Sequence, residues 1–246
     1  SASANRGEAM VGFQLLEAGA LACVEKPVGP AQKNFELIAA RLCQTVKLMS
    51  EVKVVRRWPR RDVPAAAKTL PMSIKPGPAV VEIIGIGAST GGPPVLQTIL
   101  AALPRNFSTP ILIVQHITPG FLKGLIEWLN QTSAVKVHVA AQGIPPEPGH
   151  AYVAPDNIHL AIRRDGMLAL EQSDPERGLR PSVSHLFRSL AESYGPRAAG
   201  VLLTGMGKDG ALELKLMRDR GAITIVQDRD TSVIYGMPGE AGALGA

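Results

Sequence analysis

Val80-Val81-Glu82-Ile83-Ile84-Gly85-Ile86-Gly87-Ala88-Ser89-Thr90-Gly91-Gly92-Pro93-Pro94 is the stretch whose reading decides the fold. A β-branched apolar run gives way to small residues, a serine, glycines and a proline pair, then to Val95-Leu96-Gln97-Thr98-Ile99-Leu100. The pattern predicts a buried strand, a tight turn, and a helix whose first turn tolerates proline, because the N–H that proline lacks has no helical partner there. The glycines let the backbone turn sharply and approach its neighbours closely. Ser89 is thereby expected at a helix N-terminus, among N–H groups suited to an anion or a developing oxyanion.

Three meanings compete for this turn. Gly85 and Gly87 fit a dinucleotide fingerprint loosely, but its third glycine is replaced by Thr90 and Gly91 comes one residue late. The acidic residue expected about 20 positions further on is missing, with Pro104-Arg105-Asn106 in its place. Gly87-Ala88-Ser89-Thr90-Gly91 also fits G-x-S-x-G, the nucleophile elbow. The plainest meaning is a serine that caps a helix. The rest of the chain has to decide.

The chain has 246 residues, 46% apolar and 19% charged, enough for one large or two small domains with ample core. Its net charge of +5 is concentrated in one short run, Lys53 to Arg61, and aromatics make up only 4%, so little speaks for nucleic-acid binding. Cys23 and Cys43 have no metal-ligand spacing and read as buried, reduced thiols of a cytoplasmic protein. Neither a signal peptide nor an apolar run of membrane length occurs, so no membrane insertion is expected. The opening residues lack a starting methionine and pass directly into a helical pattern, as in a chain begun inside a domain.

Glu8 to Ala18 reads as a helix stopped by Gly19, Ala20 to Val24 as a short strand, and Asn34 to Met49 as a second helix. These pieces resemble the end of a two-component receiver domain, with Gly19-Ala20-Leu21-Ala22-Cys23-Val24-Glu25-Lys26-Pro27 matching its final strand and Lys-Pro dipeptide. The resemblance implies that residues 1–49 are part of a flavodoxin-like receiver, that Lys26 contacts a phosphoryl group, and that Ser1 or Ser3 is the switch hydroxyl. It also implies a cis peptide before Pro27 and a phosphorylated aspartate upstream of Ser1. From 50 to 78 prolines and basic residues without periodicity read as a linker.

From residue 79 strand and helix patterns alternate. Ile111–Gln115, Val135–Ala140, Ala151–Pro155, Ala199–Thr204 and Ala222–Gln227 read as strands. Phe121–Asn130, Val183–Tyr194 and Ala211–Arg220 read as helices. His159–Ile162 and Met167–Leu170 read as a hairpin across Arg163-Arg164-Asp165-Gly166. The fold class is α/β, a doubly wound, mostly parallel sheet with an antiparallel hairpin.

Ligands of open parallel sheets bind at the carboxyl ends of the strands. Ser89, His116 and Asp209 each follow a strand and so fall on one rim, as a nucleophile, its base, and the group that orients and charges the base. Taken singly, His116 reads as a loop or core histidine and Asp209 as the cap of the Ala211–Arg220 helix. The other histidines are less well placed: His138 lies within a strand, His150 in a Pro-Gly loop, His159 in the hairpin and His185 in a helix. The order serine, histidine, aspartate also differs from the serine, acid, histidine order of α/β-hydrolases.

At these residues the chain resembles the chemotaxis protein-glutamate methylesterase (CheB) family. The likeness is carried by Gly85–Gly92, by Gln115-His116 with Gly120-Phe121, and by Thr204-Gly205-Met206-Gly207-Lys208-Asp209-Gly210. Gly149–Pro155, Arg180-Pro181-Ser182-Val183 and Tyr235-Gly236-Met237-Pro238 extend it. The resemblance implies Ser89 as nucleophile, His116 as general base and Asp209 as its partner, with Thr90, Gly91 and Met206 around the oxyanion and substrate. It implies hydrolysis of glutamyl methyl esters, and deamidation of glutamines, on the cytoplasmic helices of chemoreceptors, with a histidine kinase acting on the full receiver and no cofactor or metal. Thr118, Leu179 and Ser184 depart from the family pattern, at positions expected to affect substrate recognition and not the three residues themselves. The sequence ends before the family's usual last strand and helix, from which a less stable fragment is expected. Two other classes fit the sequence: a non-catalytic module binding receptor or kinase, and a general small-ester hydrolase.

Overall fold

The chain is represented by a computed structural model that describes residues 35–51 and 80–246, with a few isolated positions between 12 and 29. Lys26, Ser1, Ser3, the peptide before Pro27 and the 50–78 linker lie outside the described residues, apart from the first two linker positions, which end a helix. Helix α1 spans Phe35–Glu51, as the apolar spacing predicts. Cys43 is exposed, contrary to the expectation of a buried thiol. It falls on the helical stripe shared with Glu36, Ala40, Lys47 and Ser50, whereas Phe35, Ile38, Ala39, Leu42 and Met49 are half-buried.

Six strands form one sheet: β1 (Ile83–Ala88), β2 (Ile111–Gln115), β3 (Lys136–Val139), β4 (His150–Val153), β7 (Ala198–Leu202) and β8 (Ile223–Val226). Their order is β3-β4-β2-β1-β7-β8 and every pairing is parallel. Strands β5 (His159–Ile162) and β6 (Leu168–Glu171) form a separate antiparallel hairpin. Its turn closes through Gly166 N–H donating to the Arg163 carbonyl, with Gly166 at a φ of 80°. The direction of winding reverses at β1, which has β2 on one side and β7 on the other, so the switch-point crevice lies at the carboxyl end of β1.

Both faces of the sheet are covered. Along β2, Ile111 and Ile113 join the core under α2 (Gly92–Ala102) and α3 (Leu122–Thr132). Leu112 and Val114 point into the opposite core, under α4 (Val183–Ser193), α5 (Ala211–Asp219) and α6 (Met237–Ala243). The period of two is what a strand buried on both faces requires.

Gly85 and Gly87 acquire a physical meaning here. A Cβ on Gly85 would collide with Leu190, and one on Gly87 with Val183, both on α4. The pair that fits a dinucleotide fingerprint is thus a packing groove that lets α4 lie directly on β1. The hairpin packs on the same helix, where Ser189 Oγ accepts from Ile162 N–H at 3.1 Å and Ser193 Oγ donates to the Ile162 carbonyl at 3.1 Å.

Candidate active site

Strand register brings three loop starts together. Ala88 pairs with Gln115 and Gly87 with Leu202, so the residues that follow β1, β2 and β7 emerge side by side. Beyond the strands the alignment continues: His116 N–H donates to the Ala88 carbonyl at 2.9 Å and Ser89 N–H to the Thr204 carbonyl at 3.0 Å. Neighbouring parallel strands lie about 4.8 Å apart, so side chains at these ends are adjacent.

The turn at Ser89 is held from three sides. The Ser89 carbonyl accepts from Gly92 N–H and from Gln115 Nε2, each at 2.8 Å. Gly91, at a φ of 81°, is the residue before α2, and a Cβ there would sit 2.6 Å from Val233. Gly205 backs the serine: a Cβ on it would come 2.6 Å from Ser89 Cβ. Gly205 is in turn fixed by Met237 N–H, which donates to its carbonyl at 2.9 Å, and by the bridge to Tyr235. Buried Thr204 ties the layers together, its Oγ1 lying 3.0 Å from the Thr90 carbonyl and accepting from Ile234 N–H at 2.9 Å.

His116 Nε2 lies 3.0 Å from Asp209 Oδ2, with both side chains at least nine-tenths buried. The approach is oblique, so among the described residues Nε2 makes no well-aligned hydrogen bond. Asp209 does not cap α5. The residue before that helix is Gly210, at a φ of 81°, and no side chain caps it. The carboxylate turns instead to the N-terminus of α4, accepting from Val183 N–H at 2.7 Å, Ser184 N–H at 3.1 Å and Ser182 Oγ at 2.8 Å. Burial by itself pushes the Asp209 carboxyl up. The close approach and charge of His116, with donors on Ser184 and Val183, outweigh burial and hold the group well below the usual carboxylate range.

Beneath Asp209 lies a polar network that sequence reading missed. Ser184 Oγ accepts from Gly210 N–H at 2.9 Å and donates to Glu213 Oε2 at 2.6 Å. Arg188 forks onto Glu176 at 2.9 and 2.8 Å and reaches Glu213 at 3.4 Å. His185 lies 2.9 Å from Glu176 and stacks on buried His159 at 4.5 Å. The expectation that Ser184 stands clear of the three residues is therefore wrong, since both its N–H and its hydroxyl support Asp209. Sequence spacing could not show this, because the contact joins helices whose positions differ by about 26 residues.

Of the candidates, Ser89, Thr90, Gly91, His116, Met206 and Asp209 all fall at the carboxyl edge around β1, β2 and β7; Lys26 lies outside the described residues. Gln115, 3% exposed, is a further residue of the site, signalled in sequence by being polar at the end of an apolar strand and by belonging to the Gln115-His116 pair that carries part of the family likeness. Beside the Met206 loop opens a cavity of about 540 Å³, walled by Lys208, Arg229, Tyr235, Gly236 and Glu240 among others. Arg229 lies over the Tyr235 ring at 5.0 Å. Among the described residues no cluster of histidine, cysteine and carboxylate side chains could hold a metal, and no helix is long and apolar enough to cross a membrane.

A doubly wound parallel sheet that gathers a serine turn and a buried His–Asp pair at its switch point defines a class of open α/β domains working at a strand-end crevice. Within that class the chain belongs to the CheB methylesterase family, whose model matches residues 84–246. It is 57% identical over 235 residues to a protein-glutamate methylesterase/protein-glutamine glutaminase of Geobacter metallireducens, covering 95% of this chain and 67% of the relative. It is 42% identical over 234 residues to the protein-glutamate methylesterase FrzG of Myxococcus xanthus, covering 95% of this chain and 67% of that protein. The crystal structure of the Thermotoga maritima CheB methylesterase catalytic domain superposes with a TM-score of 0.64 at 39% identity, over 67% of this chain and 88% of that one.

Proposed function

We propose that the chain is a protein-glutamate methylesterase and protein-glutamine glutaminase acting on the cytoplasmic helices of methyl-accepting chemoreceptors. The observation that carries this reading is the buried His116–Asp209 contact at 3.0 Å on the rim that also holds Ser89. With Nε2 turned to Asp209, Nδ1 is the nitrogen that takes the serine proton. Ser89 Oγ attacks the side-chain carbonyl of the glutamyl ester, and the proton passes to His116. The tetrahedral oxyanion faces the N–H groups of Thr90 and Gly91, which have no backbone acceptor among the described residues, and the family likeness adds Met206 to this pocket. Collapse expels methanol, which takes the proton from His116 and leaves a glutamyl ester on Ser89. Water, deprotonated by His116, then releases glutamate and restores the serine. Glutamine follows the same path with ammonia as the leaving group.

The cavity beside Met206 supports a polypeptide substrate over a small ester. It is walled by Lys208 and Arg229, neither of which is in an ion pair with a carboxylate among the described residues, as well as by Glu240, and so offers basic groups to an acidic chain. Residues 1–49 are assigned to the end of a receiver domain with Lys26 as its phosphoryl contact, for which the amphipathic helix α1 is the structural support. The test is methanol release from methylated chemoreceptor by the chain and by Ser89→Ala. Release that falls by at least three orders of magnitude in the variant, with the fold retained, is expected. Comparable release by both refutes the nucleophile, and no release by either leaves the non-catalytic binding module or a hydrolase of small esters, which cleavage of a short acyl ester separates.

A further inference from the structure

Strand β2 is apolar from Ile111 to Val114 and then ends in a glutamine that is 3% exposed. A buried amide costs free energy unless it is bonded, so the position has a reason to be polar. Gln115 Nε2 uses both of its N–H groups at once, one on the Ser89 carbonyl and one on the His116 carbonyl, each at 2.8 Å. Those carbonyls belong to the first residues after β1 and β2, the residues proposed as nucleophile and base. The two hydrogens of a primary amide diverge at a fixed angle, so two acceptors on one nitrogen are held at a fixed separation. Among the described residues the other end of the amide makes no bond: Oε1 is buried without a partner, against Gly92, where any Cβ would collide with it. The donor half is what the position keeps.

We infer that Gln115 is a positioning residue, a clamp that sets the Ser89 turn against the His116 turn. The inference rests on the proposed roles of those two residues. No other side chain among the described residues bonds both carbonyls. Reacting groups about 1 Å out of place can cost on the order of 100-fold in rate, so a clamp at this point acts on turnover and not on substrate binding.

Two variants test it. Gln115→Met fills the same space without donors. Turnover on methylated receptor, normalised to the folded fraction, is expected to fall roughly 10- to 100-fold with KM changed by less than about threefold. Gln115→Glu keeps the shape, and burial raises the pKa of the new carboxyl. Protonated, it donates to one carbonyl; ionised, it only accepts and opposes two carbonyl oxygens. Its turnover per folded molecule, relative to the wild-type chain, is therefore expected to be highest at low pH and to fall as pH rises; because an ionising buried carboxyl also lowers stability as pH rises, the folded fraction is measured at each pH. Normal turnover per folded molecule in Gln115→Met, or a ratio for Gln115→Glu that is flat with pH, overturns the clamp while Ser89→Ala remains inactive. An active Ser89→Ala overturns the underlying reading along with it.

Discussion

Replacing Asp209 with asparagine separates the two tasks this carboxylate performs. Both oxygens are occupied: Oδ1 accepts from Ser182 Oγ and Ser184 N–H, and Oδ2 accepts from Val183 N–H and faces His116. An amide has one oxygen, so one rotamer turns its NH₂ against Val183 N–H and the other turns it against Ser184 N–H. Either way a charge-assisted bond is lost and a donor meets a donor in a buried site. A hydrogen bond to a charged group contributes about 1.5–3 kcal/mol, so the destabilisation should be roughly 2–4 kcal/mol. For a domain of this size that lowers the thermal midpoint by on the order of 10 °C. A capping aspartate replaced by asparagine would cost far less, because asparagine caps a helix about as well. Turnover should fall by roughly two to four orders of magnitude, because the imidazolium loses its counter-charge and the amide can select the wrong tautomer. Calorimetry and methanol release on one sample measure both effects. A midpoint within about 2 °C of the wild-type chain, or turnover within about fivefold, would refute the reasoning.

Two further outcomes follow from the packing and the charges. Gly87→Ala drives a Cβ into Val183, a stiff β-branched residue whose N–H bonds Asp209, so it should cost about 1–3 kcal/mol and reduce turnover. Gly85→Ala meets a terminal methyl of Leu190, a side chain not branched at Cβ, and the edge of the Phe187 ring, and should be milder; thermal melts and assays that reverse this order contradict the packing. Glu176 is lowered from 4.5 to about 2, chiefly by the Arg188 bond and, against the opposing effect of burial, also by His185. Because its folded pKa is the lower one, its stabilisation is complete above about pH 4.5 and lost towards pH 2. Glu176→Gln should flatten the fall of the midpoint across that window, and an unchanged acid limb would show that the pair is not coupled to folding.

The alternation of strand and helix signals was enough to read the doubly wound sheet, and the bounds of β2 and of the hairpin's first strand were legible to the residue. β1 starts later than its β-branched run because pairing decides its length: Ile83 is the first residue with a partner, Ala198, and Val80 is 77% exposed. Helix α6, Met-Pro-Gly-Glu-Ala-Gly-Ala, is short and glycine-rich and carries no apolar period, so nothing local announces it. The carboxyl-edge position of Ser89, His116 and Asp209 was readable because strand ends are. The helix that Asp209 serves was not, because sequence offers α5, which starts two residues on, while the fold offers α4. The role of Gln115 was missed for a related reason: it depends on two carbonyls, which every residue has and which only register brings together.

The central place of β1 also governs when the rim can exist. Its neighbour β2 follows within about 30 residues, but its other neighbour pairs Ile83 with Ala198, more than a hundred residues downstream. Asp209, Gly205 and Met206 come later still. During synthesis the serine turn and the histidine therefore leave the ribosome long before the strand that backs the one and the carboxylate that faces the other. A nascent chain holds the nucleophile without its surroundings, and the crevice closes only when the last quarter of the sequence has emerged and docked.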